Sequence, residues 1–386
     1  MKKTIAIFTT TRAEFGIFSA LLTEIDKTDN IKYLLFVGGS HLAFETGKTI
    51  NEITNLNYPI SETFDYQLNI SDDTTLCKSL GNCTVELANI FKNFNFDFVC
   101  VLGDRIELLS IITNAIVFRK PIIHIHGGEK TEGAIDEQIR HMVTKASHIH
   151  FPTCTEYANN IINMGEVEWR VHNVGALAVD NMKMLPKLTK TDLFEKLRLS
   201  ISKPTVLLTY HPVTLEFTFS ALEQITNVFE ALKCFDYQIV ITAPNADKDR
   251  EIVYNYIQKQ LKLNNNFIYI ESLGVKNYLN LIPHCILVIG NSSSAIIEVP
   301  YFKIPVINIG DRQKGRIMHE NIISCDYTTE SIKNAVLTAN NKEFEIKLKD
   351  MNYKFGDGNT AKKMLDVLKA INIDEKLLRK HLEFNS

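Results

Sequence analysis

Short runs of continuous apolar residues alternate along the chain with longer stretches in which apolar side chains recur every three to four positions. The first run covers residues 4–9, and others fall at 31–37, 98–102, 121–126 and 148–152. Strands that are apolar at nearly every position, rather than at every second one, are buried on both faces. Between them, 12–24 sets Phe15, Phe18, Leu21 and Leu22 at helical spacing, and 78–92, 108–118 and 136–146 show the same period. The pattern restarts at 204–209. Strands at 238–242, 267–270, 286–289 and 306–309 then alternate with helices at 222–232, 250–261, 275–282 and 294–301. This strand–helix–strand repetition predicts two α/β halves, each with a mostly parallel sheet covered on both faces. Residues 175–202 have weak strand signals and many lysines, and are expected to hold the junction. After the turn Phe355-Gly356-Asp357-Gly358-Asn359, residues 360–371 read as an amphipathic helix capped by Asn359 or Thr360, which crosses back to the first half.

Composition narrows the function classes. A chain of 386 residues exceeds one ordinary core, so two domains are expected. It is 45% hydrophobic and 23% charged, with net charge −3, as in a globular protein rather than a disordered or fibrous one. The balance lacks the basic surplus of a nucleic-acid binder. The first apolar run is too short for a signal sequence, with Arg12 and Glu14 following at once, and no run is long enough for a membrane span. Seven scattered cysteines with no CxxC pair fit reduced thiols in a cytoplasm better than disulfides or a zinc site.

In open α/β sheets ligands bind beyond the carboxyl ends of the strands. Those positions are polar here. Strand one runs into Thr9-Thr10-Thr11-Arg12-Ala13-Glu14, a helix start that suits a phosphate or simply carries a solvated arginine. There is no GxGxxG and no Walker A loop. Gly103-Asp104-Arg105 follows another strand, where Asp104 either caps the next helix or faces a cleft. Then come His124-Ile125-His126-Gly127-Gly128-Glu129 and, opening a helix, Gly133-Ala134-Ile135-Asp136-Glu137-Gln138-Ile139-Arg140-His141. Arg140 lies four residues from Asp136, the spacing of a helical salt bridge. The pairs His124/His126 and His148/His150 each share a strand face but supply no ligand set, so no metal is assigned. The second half contributes His211-Pro212-Val213-Thr214, placed for proton transfer, and Gly290-Asn291-Ser292-Ser293-Ser294, a hydroxyl-rich turn suited to phosphate, with Glu298 one turn on. Arg312 follows the next strand.

Taken in order, these segments resemble the UDP-N-acetylglucosamine 2-epimerase family, specifically its hydrolysing branch. The residues that carry the resemblance are Thr11-Arg12-Ala13-Glu14, Gly103-Asp104-Arg105, His126-Gly127-Gly128-Glu129, Gly133-Ala134-Ile135-Asp136 with Arg140-His141, His211-Pro212-Val213-Thr214, Gly290-Asn291-Ser292-Ser293 with Glu298, Pro305-Val306-Ile307-Asn308 with Arg312-Gln313, and Gly356-Asp357-Gly358-Asn359. They extend over about residues 4–370. The resemblance implies a GT-B fold with two Rossmann-like domains, at 1–176 plus a terminal helix at 366–386 and at 177–365, and an active site between them. It implies a reaction without metal or other cofactor on a UDP-linked 2-acetamido sugar: loss of the C2 proton, departure of UDP from C1, and hydration of the 2-acetamidoglycal with inverted C2. It makes Asp104, Glu129 and Asp136 the acid/base carboxylates, with His211 assisting at the departing diphosphate. Arg12, Ser292 and Ser293 are expected on phosphate, Glu298 on ribose, and Arg105, Arg140 and Arg312 on the polar groups of the substrate site. It also implies a homodimer or higher homo-oligomer, with no nucleic-acid or membrane partner.

The sequence departs from the family pattern at Thr10-Thr11-Arg12, where many members have Gly-Thr-Arg. Gly127-Gly128-Glu129 matches the hydrolysing branch rather than the Glu-Ala-Gly of the non-hydrolysing one. The motifs say little about C4 and C6 of the sugar. A UDP- or GDP-linked N,N′-diacetylbacillosamine substrate, on the route to legionaminic acid, is therefore the main alternative. A non-hydrolysing epimerase, a GT-B glycosyltransferase and a sugar-nucleotide-binding regulator are the others.

Overall fold

The computed structural model describes residues 2–43, 48–69, 71–131, 135–213, 218–245, 249–381 and 383. It separates into two compact units: Met1–Glu129 with Asp136–Met184 and Lys354–Ser386, and Leu185–Tyr353 with Lys130–Ile135.

The first unit is built on strands β1 (Lys3–Thr9), β2 (Ile31–Gly38), β3 (Ile60–Phe64), β4 (Phe98–Leu102), β5 (Ile122–Ile125) and β6 (Ile149–Phe151). They form a parallel sheet in the order β3-β2-β1-β4-β5-β6. Alternate residues of β1 enter opposite cores. Ile5 and Ile7 pack with Phe18, Leu21 and Met364, whereas Ala6 and Phe8 pack with Phe36, Phe91 and Val101. Burial on both faces is why these strands read as unbroken apolar runs.

The second unit contains β7 (Thr205–Thr209), β8 (Gln238–Thr242), β9 (Phe267–Ile270), β10 (Leu287–Gly290), β11 (Val306–Ile309) and β12 (Ile322–Cys325). Their order is β12-β11-β10-β7-β8-β9, again parallel. Read from the other edge, this is the topology of the first sheet. In each unit the first strand lies between its second and fourth, so the chain reverses its direction of travel across the sheet at β1/β4 and at β7/β10.

The unit boundaries fall after Met184 and after Tyr353, rather than at 176/177 and 365/366. The cause is packing. Helix Leu177–Met184 buries Leu177 in the first unit's core, and its Asn181 donates to the Gly16 carbonyl at 2.6 Å. Helix Thr360–Ala370 adds Ala361, Met364, Leu365 and Leu368 to the same core. Asn359 precedes this helix but its side chain does not cap it. The Asp180 carboxylate does so instead, accepting from the backbone N–H of Thr360 at 2.9 Å and of Ala361 at 2.7 Å. Lys3 donates to the carbonyls of Leu368, Lys369 and Ile371 at the other end. Among the described residues no helix is long and apolar enough to cross a membrane.

Candidate active site

The β1/β4 switch point carries a buried carboxylate network. β1 ends in Thr9, and Thr11 caps helix Arg12–Ile25 in a capping box with Glu14. Glu14 is 4% exposed, and its Oε2 accepts from the Thr10 and Thr11 backbone at 2.8 and 3.0 Å. Burial, reinforced by the nearby Glu107, raises its pKa to about 7. Glu107 is also buried and accepts from the Tyr66 hydroxyl at 3.1 Å, with Arg105 Nε 3.7 Å from its other oxygen. Arg12 is half-buried at the start of its helix, and its side chain makes no hydrogen bond or ion pair among the described residues.

Asp104 leaves β4 after Gly103 and does not cap the helix Leu108–Val117. It pairs with Arg140, whose side chain is 1% exposed. The same guanidinium donates to the Glu129 carbonyl at 3.0 Å and to Glu137 at 2.9 Å. Arg140 thus ties the β4 and β5 loops to helix Asp136–Ala146, and the four-residue spacing to Asp136 is not used. Asp136 itself is half-exposed at that helix start. The neighbouring Gly133 and Ala134, and Thr214 in the second unit, lie outside the described residues.

Beyond β5, Gly128 has φ +77°, and a Cβ there would lie 2.2 Å from the Tyr157 carbonyl, so only glycine fits. The tight turn brings Glu129, three residues after His126, to 2.8 Å from the imidazole Nδ1. His124, one pleat earlier, bonds the Gly103 carbonyl through Nε2 at 2.8 Å, and burial lowers its pKa to about 3. It therefore holds the β4 loop as a neutral group.

The β7/β10 switch point has different chemistry. Gly290 has φ +138°, and a Cβ would strike the Thr209 carbonyl at 1.9 Å. Asn291, fully buried, accepts from the His211 backbone N–H at 2.7 Å and donates back to its carbonyl at 2.8 Å. The Asn245 N–H donates to His211 Nδ1 at 3.0 Å, which leaves the proton of the neutral ring on Nε2. Gln313 and Arg312 donate to the Asn291 carbonyl at 2.8 and 3.4 Å. Ser292 and Ser293 open the short helix Ser293–Ile297, and their hydroxyls make no hydrogen bond among the described residues. Ser294 bonds Tyr278 and Glu298, and burial raises the Glu298 pKa to about 7. Among the described residues no group of three or more His, Cys, Asp or Glu side chains could hold a metal ion.

Residues 23–369 match the family model for UDP-N-acetylglucosamine 2-epimerase. The chain belongs to the UDP-N-acetylglucosamine 2-epimerase family. It is 36% identical to the GDP/UDP-N,N′-diacetylbacillosamine 2-epimerase (hydrolyzing) of Campylobacter jejuni over 350 residues, 89% of each chain. It is 34% identical to polysialic acid biosynthesis protein P7 of Escherichia coli over 385 residues, 97% of each. The UDP-GlcNAc 2-epimerase of Methanocaldococcus jannaschii, solved with UDP-GlcNAc and UDP, has a TM-score of 0.78 at 22% identity, covering 95% of this chain and 99% of its own. At that identity the likeness is one of fold, and the fold is of the GT-B type expected from the motifs.

Within this epimerase family member, the structure brings Asp104, Arg140 and Glu129 together in the first unit, and His211, Arg312 and the Ser292–Ser293 turn around Asn291 in the second. It turns Arg105 toward Glu107. Sequence reasoning missed Glu14, Glu107, Glu137 and Asn291 as members of these networks. The Thr-x-x-Glu capping box could have revealed Glu14. Glu107 and Asn291 show only in three dimensions, because their partners lie far along the chain.

Proposed function

We propose that the chain is a hydrolysing UDP-N-acetylglucosamine 2-epimerase, converting UDP-N-acetylglucosamine and water to N-acetylmannosamine and UDP for nonulosonic acid synthesis. The observation that carries this reading is the constellation beyond the carboxyl ends of β4 and β5, where the buried Arg140 gathers Asp104, Glu137 and the Glu129 backbone. Removing a weakly acidic C–H and returning a proton on the opposite face requires positioned acids and bases, for which the first unit offers Asp104, Asp136 and the His126–Glu129 pair. Departure of UDP builds negative charge on the diphosphate. His211, with its proton on Nε2, Arg12 and the Ser292 and Ser293 hydroxyls answer that charge, Glu298 accepts from the ribose, and Arg105 and Arg312 order the surrounding polar groups. The reaction proceeds through the 2-acetamidoglycal, and water then enters C1 with C2 inverted.

The Campylobacter relative favours a second reading, in which the sugar is the UDP- or GDP-linked N,N′-diacetylbacillosamine and the chemistry is unchanged. Incubation in D2O followed by NMR tests both. Free UDP with N-acetylmannosamine deuterated at C2 is the expected outcome. Turnover of only the diacetamido sugar nucleotide moves the substrate to the second reading. UDP-N-acetylmannosamine without UDP release, or no turnover of any of these by folded protein, overturns the hydrolysing assignment.

A further inference from the structure

His126 combines three features that structural packing alone does not account for. It has φ +64°, in the left-handed region that few non-glycine residues adopt and that is held at functional sites by the surrounding fold. Its side chain is 7% exposed and its Nδ1 lies 2.8 Å from Glu129 Oε1, while Thr153 donates to the same oxygen at 3.4 Å. Its Nε2 is buried and has no hydrogen-bond partner among the described residues. A buried imidazole nitrogen left unpaired is costly and needs an explanation.

The turn accounts for the geometry. The His126 N–H still pairs with the Phe151 carbonyl at 3.1 Å as a continuation of β5, and the chain then reverses through Gly127 and Gly128. The reversal delivers Glu129 to the imidazole on the side of Nδ1. A carboxylate only accepts, so Nδ1 carries the proton and the Nε2 lone pair is bare. This is the arrangement by which a carboxylate orients an imidazole base and stabilises the imidazolium formed when it takes a proton. His124, on the same strand face, is hydrogen-bonded to the Gly103 carbonyl and remains neutral, so it does not compete for the role.

We propose that His126 is the base that removes the C2 proton of the nucleotide sugar, with Glu129 as its positioning residue. This rests on the epimerase reading and assigns one step within it. The Nε2 lone pair takes the C2 proton, the C2–H electron pair becomes the C1=C2 bond, and the C1–O pair leaves with the β-phosphate oxygen of UDP. The products of the step are imidazolium, glycal and UDP. The imidazolium then returns its proton to water, while a different group protonates C2 from the opposite face during hydration.

The experiment compares wild type, His126→Asn and His126→Ala in two assays: UDP release from the nucleotide sugar that wild type turns over, and hydration of the isolated 2-acetamidoglycal. Thermal unfolding serves as the check on folding. The expected result is a fall in kcat for UDP release of about 10³-fold with KM little changed, glycal hydration within a few-fold of wild type, and partial recovery of UDP release by His126→Ala in added imidazole. UDP release within tenfold of wild type overturns the proposal. So does equal loss of both steps without imidazole recovery, whether or not the variants are less stable. A wild-type enzyme silent on every nucleotide sugar is a failure of the epimerase reading, and is seen before any variant is made.

Discussion

Beyond β4 and β5 of the first sheet the polar groups are carboxylates held by an arginine and a histidine. At β7/β10 they are hydroxyls, an amide and a histidine whose ring is anchored by a backbone N–H. The two sheets have the same strand order and present the same strand ends. The scaffold therefore does not choose the chemistry. The residues that follow each strand do. The first unit concentrates groups able to move protons and fixes them through ion pairs with Arg140 and His126. The second concentrates hydrogen-bond donors, Arg312 among them, suited to an anion that is bound and released.

The comparison breaks if a carboxylate of the first unit proves dispensable. Asp104→Asn should lower kcat for UDP release by about 10³-fold while leaving UDP affinity within about twofold, as read by steady-state kinetics and calorimetry. Loss of UDP affinity instead would move Asp104 to the binding side. Next in size is Arg140→Met. It leaves Asp104 and Glu137 without their buried counter-charge and should cost about 3 kcal/mol in urea unfolding.

Buried carboxylates within the first unit can be set against each other by pH. Burial raises Glu14 to about 7, so its favourable contribution is complete below pH 4.5 and is lost as pH rises through 7. At Glu166 burial acts in the same direction, but hydrogen bonds from His150, Lys145 and Lys380 outweigh it and lower the pKa to about 2. Its contribution is present above pH 4.5 and is lost as pH falls toward 2. Between pH 4.5 and 8 the stability of Glu14→Gln relative to wild type should therefore rise by on the order of 3 kcal/mol, whereas that of Glu166→Gln relative to wild type should stay constant, as read by urea unfolding at each pH. The smallest effect belongs to the second switch point. Ser292→Ala and Ser293→Ala should each remove about 1 kcal/mol of UDP binding, roughly fivefold in Kd by calorimetry, with kcat nearly unchanged.

Central elements were legible because local patterns encode them. Strands β4, β8, β9 and β11 lie at the positions their apolar runs indicate, and helices Asp136–Ala146 and Arg250–Leu261 begin and end where their periodicity does. The sheet edges were not legible. β3 reads Ile-Ser-Glu-Thr-Phe and β12 reads Ile-Ile-Ser-Cys, each paired on one side only and largely uncovered, so neither needs a long apolar run. Helices Thr155–Asn163 and Thr329–Ala339 are not legible either, since each buries only a few apolar side chains among polar ones.

By itself the amino-acid sequence determined the α/β class, the two-part organisation, the strand ends where chemistry collects and the family. All of these depend on periodicity, or on motifs a few residues long. The tertiary structure alone decided that Asp104 rather than Asp136 receives Arg140, that Asp180 rather than Asn359 caps the last long helix, and that Glu129 turns back onto His126. The first two are pairings across 36 and 180 residues, and the third depends on a left-handed turn against the Tyr157 carbonyl. A charge chooses among partners by distance and desolvation, and both are set only when the strands are side by side and water has been excluded from between them.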